Sequence, residues 1–292
     1  MKESFRENLG LRKNNIERLN VVNRIIEDYA EQDFKLTLRQ LYYQLVSRAI
    51  IPNKVEEYAK LGALLVKGRM AGWVDWDAIE DRLRVPYIPY YADGPGAAIR
   101  DITGGYRRDR QDGQSVYIEV WVEKDALSGV LRRITRKYHV RLMVNRGYSS
   151  ASAMYRAAKR FLHYEQLDRE GVLLYLGDHD ASGLDMIRDI RTRLNEFGTF
   201  PTVKHIALTT QQVQTFNPPP NPAKITDPRA KWYIEEHGDV SWEVDALPPE
   251  ILLQLLESEI KLRIDLTLYE EQLEQEQQDI DRLEEIADTF DD

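Results

Sequence analysis

The sequence contains no cysteine, and this absence excludes several kinds of chemistry at once. Without thiols there is no disulfide framework, no thiolate metal site and no cysteine nucleophile. No apolar run approaches the length of a membrane-spanning helix, and residues 1–6 lack the apolar core of a signal peptide. We therefore expect a cytoplasmic protein with no membrane contact.

The residues that are present suit one large or two moderate domains: 292 residues, 42% of them hydrophobic, with 16 tyrosines and 5 tryptophans. The formal net charge of −9 is unevenly distributed. Residues 1–240 carry a small positive excess, whereas residues 241–292 hold 17 acidic and 3 basic side chains. This division is compatible with a DNA-facing body and an acidic appendage, although charged runs are more often solvated surfaces.

Helical periodicity dominates residues 1–90. Apolar residues at helical spacing predict one helix before residue 30, a second that Thr37 caps, and a third over about Val55–Met70, followed by a short extended segment. Many small helical domains share this pattern, including the winged helix of DNA-binding proteins. Residues 91–114 are rich in Gly, Pro, Tyr and charge, and we predict a linker there that contains one short helix.

Strands and helices alternate over residues 115–248. Helices separate four predicted strands, at residues 116–122, 140–144, 172–176 and 203–208. Short connections in such an alternation imply a four-stranded, mainly parallel sheet with right-handed crossovers. The predicted fold class is therefore α/β, with a helical, winged-helix-like domain ahead of the sheet domain.

The last segment, residues 249–292, is strongly acidic and is predicted to form one long helix from about Pro249 to Ala287. Its apolar residues follow a 3–4 seam that Glu276 interrupts. A helix packed on its own domain and a dimerising coiled coil are equally compatible with this pattern.

Acidic residues follow two of the predicted strands: Asp178 and Asp180 come directly after one apolar run, and Glu123 after another. The carboxyl ends of parallel strands meet at one edge of a sheet, and residues i and i+2 of an extended segment project to the same side. Three carboxylates that converge there need a cation, and such a set suits one or two Mg²⁺ ions. The alternative is that each aspartate only caps the next helix. We expect His179 to be structural or solvent-facing.

Two segments resemble the Toprim domain: Val122-Glu123-Lys124-Asp125-Ala126 and Gly177-Asp178-His179-Asp180-Ala181-Ser182-Gly183. This version is similar to the A subunit of topoisomerase VI and to the meiotic double-strand-break transesterases, and at this length most similar to the compact Topo mini-A relatives. The resemblance implies that Glu123, Asp178 and Asp180 hold magnesium. Ala181-Ser182 stands where the family has a proline–aromatic pair. A looser match covers residues 242–247, Trp-Glu-Val-Asp-Ala-Leu.

The same family carries a winged-helix domain ahead of Toprim, with its nucleophile at the end of an Arg-x-x-Tyr-Tyr pattern, here residues 39–43. Helix geometry separates the two tyrosines. Tyr42 falls on the apolar stripe, whereas Tyr43 is turned about 100° from it and lies one turn after Arg39. A guanidinium there could hold a phosphate and favour the phenolate, whose ordinary pKa is about 10. A lone helical tyrosine is otherwise usually a packing residue.

Six further polar residues are candidates for DNA contact. Residues 146–150 open a helix whose free N–H groups could bind a phosphate, and polar residues after the proline loop 217–222 could do the same, although helix caps explain both segments equally well. Arg107, Arg108 and Arg110 form a small basic cluster that suits phosphates or a solvated turn. The six candidates are Lys124, Arg146, Ser149, Ser150, Lys224 and Arg229.

The resemblance implies a magnesium-dependent DNA-cleaving transesterase, like the type IIB topoisomerase A subunit, that forms a tyrosyl–DNA intermediate. In that family the tyrosine of one protomer meets the metal site of the other, so we expect a homodimer on double-stranded DNA, associated with the nucleoid. The sequence has no P-loop or GHKL-type pattern, so ATP-driven strand passage would need a separate ATPase partner. The alternatives are a Toprim nuclease that uses activated water, a non-catalytic DNA-binding protein and, third, a primase-like enzyme.

Overall fold

The computed structural model describes residues 2–6, 10–31, 34–79, 89–145, 147–223 and 229–290. Three helices form the first unit: α1 (Lys13–Ala30), α2 (Leu38–Ser47) and α3 (Val55–Met70). Thr37 caps α2 through a capping box with Gln40, as its position in the sequence predicts. The buried faces of these helices share one core, which confirms the three predicted helices. The winged-helix assignment of this unit stays a prediction.

The predicted linker contains helix α4 (Pro95–Gly105) and leads into the sheet. The sheet strands are β1 (Val116–Val122), β2 (Arg141–Val144), β3 (Glu170–Leu176) and β4 (Thr202–Ala207). They are ordered β2-β1-β3-β4, and every pairing between them is parallel. Helices α5 (Ser128–Lys137), α6 (Ala151–Glu165) and α7 (Ala181–Glu196) connect them. The predicted α/β class and four-stranded sheet are confirmed, and the sheet is wholly rather than mainly parallel.

Two further cores cover the two faces of the sheet. Alternation along β1 sends Ile118 and Val120 to a core shared with α5, and Tyr117 and Trp121 to a core shared with α6 and α7. Because both faces are covered, β1 is buried along its whole length. The polar residues that follow the strands lie at the carboxyl edge of the sheet.

After β4, the chain forms α8 (Thr210–Phe216), the short strand β5 (Asn221–Pro222), α9 (Ala230–His237) and the short strand β6 (Val240–Ser241). Strands β5 and β6 pair antiparallel. Two helices end the described chain: α10 (Pro249–Lys261), which joins the core on the α5 face of the sheet, and α11 (Leu266–Asp288).

The predicted single C-terminal helix is wrong in one respect, since it is broken between α10 and α11. The carboxylate of Asp265 accepts hydrogen bonds from the N–H groups of Thr267 and Leu268, so it starts α11 anew. Helix α11 packs against α4 of the same chain, where the nearly buried Glu276 accepts hydrogen bonds from Arg110 and from the Arg108 N–H. Glu276, which interrupts the apolar seam, therefore forms an ion pair with the linker of the same chain.

Within the part of the chain that the structure describes, no helix combines the length and the apolar character needed to cross a membrane. The boundaries predicted for the domains, at residues 90, 114 and 248, stay predictions.

Candidate active site

The carboxyl ends of β1 and β3 bring Glu123 and Asp178 together. Parallel pairing places Val122 beside Leu176, and the Glu123 N–H donates to the Leu176 carbonyl at 2.9 Å. Glu123 lies one residue past β1 and Asp178 two residues past β3, and the Asp178 N–H donates to Glu123 Oε2 at 3.0 Å. The convergence expected from two neighbouring parallel strands is therefore present at this edge.

Asp180 occupies the cap of α7, where its Oδ1 accepts a hydrogen bond from the Gly183 N–H at 2.7 Å. The turn requires a glycine at 183, because a Cβ there would lie 2.2 Å from the Asp178 carbonyl oxygen. Asp180 therefore caps the next helix, which is one of the two roles expected from the sequence. The cap also fixes the direction in which the turn leaves β3.

His179 is structural. Its ring is buried, with Nδ1 2.9 Å from the Tyr233 hydroxyl and Nε2 2.9 Å from the Thr210 hydroxyl. Its backbone forms an antiparallel bridge with Trp242, with N–H to carbonyl distances of 2.8 and 3.0 Å. This bridge holds the segment after Trp242 against the Asp178 turn.

That segment supplies two carboxylates that the predicted ligand set omits. Oxygens of Asp178, Glu243 and Asp245 all lie within 4.8 Å of one another, and in the described chain this is the group of three that could hold a metal ion. We call it the carboxylate cluster. It shares Asp178 with the predicted set and contains neither Glu123 nor Asp180. The Glu-x-Asp spacing in the loosely matched segment 242–247 was the one sequence signal for it.

Two cations neutralise most of the carboxylate cluster. The Lys124 ammonium lies 2.8 Å from Asp178 and 3.0 Å from Asp245, and it also pairs with Glu243. Arg39 of α2 donates from Nε to Asp245 at 2.6 Å and from Nη2 to Glu243. Lys124, predicted as a DNA contact, is thus 15% exposed and lies within the cluster.

These contacts move the pKa values of the cluster in opposite directions. Burial raises the pKa of Asp178 to about 7, because the neighbouring carboxylates add to the cost of its charge and Lys124 offsets only part of it. For Glu243, burial acts in the same direction, but Lys124 and Arg39 outweigh it and lower the pKa to about 2. A further cation beside Asp178 would therefore favour its ionised form.

The oxygen donors of the cluster fit Mg²⁺, which prefers carboxylate ligands. The Lys124 ammonium now occupies the point at which these oxygens converge. An ion would bind there as Lys124 withdraws.

Tyr42 and Tyr43 are both buried, but they face different surroundings. The Tyr42 hydroxyl donates to Asn53 Oδ1 at 3.0 Å. The ring of Tyr43 lies 5.6 Å from the Arg39 guanidinium carbon, which confirms the predicted neighbourhood of these two residues. Burial and the charge of Glu243 raise the pKa of Tyr43 to about 12, and Arg39 acts against them.

Tyr43, Asp180 and, from the carboxylate cluster, Glu243 border one cleft of about 550 Å³, within the range of about 300–1,000 Å³ typical of ligand sites. Side chains of the helical unit form one wall and those of the sheet unit the other. We call it the tyrosine cleft; its polar lining includes Arg39, Tyr43, Asn53, Asp180, Asn221 and Glu243.

The other predicted DNA contacts lie outside this cleft or outside the described residues. Ser150 caps α6, and Ser149 donates to Asn145 at 2.9 Å. Arg229 pairs with Asp185 at 3.1 Å. Arg146 and Lys224 are not among the described residues. The basic cluster of Arg107, Arg108 and Arg110 pairs with acidic side chains of α11.

Comparisons with protein-family models, with curated proteins and with solved structures find no match for this chain.

Proposed function

We propose that the protein is a magnesium-dependent DNA-cleaving transesterase with a Toprim-like sheet domain and a winged-helix-like domain that supplies Tyr43. The observation that carries this proposal is the tyrosine cleft, which Tyr43 of α2 lines together with Asp180, at the carboxyl edge of the parallel sheet, and Glu243 of the carboxylate cluster. The resemblance of residues 122–126 and 177–183 to the Toprim domain supports the same reaction class.

In the proposed reaction, Tyr43 Oη forms a bond to a DNA phosphorus while the phosphorus bond to the neighbouring deoxyribose oxygen breaks. The phenol proton passes to water, and the departing deoxyribose oxygen takes up a proton. The number of phosphodiester bonds is conserved, so the break can be resealed. Arg39 would hold the phosphate beside the phenol, exchanging part of its pairing with Glu243 and Asp245 for the phosphate oxygens.

Asp178, Glu243 and Asp245 would hold the magnesium, which when bound stabilises negative charge on the phosphate and on the leaving oxygen. Glu123 would orient this set through its hydrogen bond from the Asp178 N–H. The partner in the reaction is double-stranded DNA. A homodimer would cut both strands at the nucleoid, and a separate ATPase chain would drive strand passage.

The test is incubation of the protein with supercoiled DNA and Mg²⁺, followed by detergent trapping of protein-linked DNA. We expect an adduct with the unaltered protein and none with Tyr43→Phe. Tyr29→Phe is the matched control: Tyr29 is equally buried, its pKa is likewise raised to about 12, and it lies in the core of the helical unit. Its variant should form the adduct normally.

A Toprim nuclease that activates water is the second candidate, and the raised pKa of Tyr43 favours it, since a phenol of pKa about 12 is a poor nucleophile until it is deprotonated. Cleavage by Tyr43→Phe at the unaltered rate, with free DNA ends, would establish the nuclease in place of the transesterase.

A further inference from the structure

We propose that the outer edge of the sheet domain, at α5 and β2, binds the phosphates of double-stranded DNA outside the tyrosine cleft. This binding would be additional to the proposed reaction. Residues 126–164 contain nine basic side chains and no acidic one. Residues 1–240 as a whole carry 37 basic and 32 acidic side chains, so this one segment holds more than their entire positive excess. A polyanion that approaches a chain of net charge −9 is attracted to such a local surface.

Helix α5 presents this charge on its outer face. Leu131 and Ile134 pack into the core of the sheet, whereas the exposed positions of the helix are all basic: Arg132, Arg133, Arg136 and Lys137. The spacing of one helical turn between the two pairs places them on the same face. Arg141, also exposed, begins β2, which is an edge strand of the sheet. We call Arg132, Arg136 and Arg141 the basic edge.

The chain does not neutralise the basic edge with its own carboxylates. Within the described ranges, no acidic side chain forms an ion pair with any of its three arginines, although the neighbouring Lys137 pairs with Glu257 at 2.8 Å. The three arginines of the linker differ, because each pairs with an acidic side chain of α11. Of these two arginine clusters, the one on α5 and β2 therefore keeps its charge for an external partner.

Two arginines of the basic edge converge on one concavity. Arg136 and Arg141 both line a cavity of about 330 Å³. The guanidinium carbon of Arg141 lies 5.8 Å from the ring of Tyr117, which stacks on Tyr164 at 3.9 Å. This contact positions the guanidinium and leaves its N–H donors for a ligand. Asp109, the acidic residue of the lining, lies 3.5 Å from a histidine nitrogen. Two guanidinium groups from different elements can thus bind the same phosphate.

The composition of this surface favours duplex DNA over other anionic partners. The exposed face of α5 has no aromatic side chain on which single-stranded bases could stack, and no apolar side chain that a membrane could bury. Arginine matches the oxygens of a phosphate, and contacts with the backbone need no access to base edges. Helix α5 is about 15 Å long, and a duplex presents about nine phosphates over that length.

The basic edge lies apart from the proposed chemistry. None of its arginines lines the tyrosine cleft, and Arg141 stands at the amino end of its strand, whereas the cleft borders the carboxyl edge of the sheet. DNA held here would gain affinity without contact with Tyr43. The variants that test it therefore leave the cleft unaltered.

The test is fluorescence anisotropy with a labelled duplex of about 20 base pairs, in EDTA, at salt concentrations from about 50 to 200 mM. The triple variant Arg132→Gln/Arg136→Gln/Arg141→Gln should bind the duplex at least about tenfold more weakly at about 100 mM salt. Its plot of log affinity against log salt should be shallower by about 3, since each lost phosphate contact removes about 1 from the slope.

The matched control is the triple variant Arg188→Gln/Lys261→Gln/Arg282→Gln. It removes the same charge from three exposed cations that pair with carboxylates. We expect it to change duplex affinity by less than about threefold. An equal loss in both triple variants would overturn the inference, because overall charge would then explain the binding.

Sedimentation velocity distinguishes DNA from a second copy of the chain, whose acidic α11 could also approach this surface. If the basic-edge variant loses self-association and keeps its duplex affinity, the surface is an interface between copies and the inference is wrong. The thermal transition of the variant should match that of the parent, since the altered residues are exposed. If the triple variant does not fold, Arg132→Gln and Arg141→Gln are tested singly, each with an expected slope change of about 1.

Binding in EDTA also separates this inference from the proposed function. A protein that binds duplex DNA through the basic edge and forms no adduct with Mg²⁺ would refute the transesterase and support the basic edge. A protein that forms the adduct, while its basic-edge variant binds the duplex as the parent does, would give the reverse result.

Discussion

The ammonium of Lys124 lies 2.8 Å from Asp178, at the point where three carboxylates converge. A lysine that immediately follows a strand-end glutamate would ordinarily extend toward solvent or toward a bound phosphate. Here it is the internal counterion of the site. Lys124 thus holds the carboxylates together, and binding of a divalent ion would be an exchange of one cation for another.

This exchange predicts a metal-dependent stability in Lys124→Met. Removing the ammonium leaves buried carboxylates uncompensated, and the free energy of unfolding should fall by about 3–5 kcal/mol in EDTA. Mg²⁺ should restore much of that loss, because it binds the folded state only. Thermal unfolding of both proteins, with and without Mg²⁺, measures the effect. An equal response to Mg²⁺ in variant and parent would show that Lys124 does not occupy the metal position.

The ligand assignment predicts different effects for two aspartates. Asp245→Asn should weaken Mg²⁺ binding about tenfold or more, a loss of about 1.4 kcal/mol, because Asp245 is a buried member of the carboxylate cluster. Asp180→Asn should change Mg²⁺ affinity little, since asparagine caps a helix as well as aspartate does. Isothermal titration with Mg²⁺ compares them. A larger loss for Asp180→Asn would restore the ligand set implied by the resemblance.

Removing a buried ion pair elsewhere in the sheet domain should lower the stability of the protein without lowering its yield of DNA adduct. Glu119 on β1 is 1% exposed and accepts hydrogen bonds from Arg160 at 2.6 and 2.9 Å and from Trp121 at 2.9 Å. Glu119→Ala should lower the free energy of unfolding by about 3–5 kcal/mol, since it leaves the Arg160 charge unpaired. Chemical denaturation measures this loss. The adduct yield per folded molecule should match that of the parent at a temperature where both are folded.

Because His205 is buried, we expect the stability of the protein to depend on pH. Burial lowers its pKa from 6.5 to about 4, so the unfolded chain binds its proton more readily than the folded one does. Its stabilising contribution is complete above pH 6.5 and is lost as pH falls toward 4, by at most about 3 kcal/mol. His205→Phe should therefore lose less stability than the parent between pH 7 and pH 5 in denaturant titrations. Parallel pH curves for the two proteins would contradict this role.

The parts of the site that depend on strand order or on helical spacing could be predicted from the sequence. Glu123 and Asp178 follow strands that are neighbours in a parallel sheet, so their meeting needs only the strand order. The neighbourhood of Arg39 and Tyr43 likewise follows from helical spacing.

Other parts of the site depend on contacts between distant segments, which spacing does not encode. Glu243 and Asp245 reach Asp178 because the backbone of His179 pairs with that of Trp242 and the Val244 N–H donates to Asp178 Oδ1 at 2.9 Å. Lys124 turns inward because those carboxylates are there to receive it. The break between α10 and α11 depends on one capping aspartate, Asp265, within a sequence whose apolar spacing continues on both sides.

The bridge between His179 and Trp242 also has a consequence for the order in which the site is assembled. A ribosome-bound chain that has emerged as far as residue 240 contains Tyr43, Asp178 and all four strands of the sheet, but neither Glu243 nor Asp245. The carboxylate cluster and the contact of Arg39 with it can therefore form only after residue 245 has been added. Under the proposed function, an unfinished chain would have the nucleophile without the means to use it, and we expect truncated products not to break DNA.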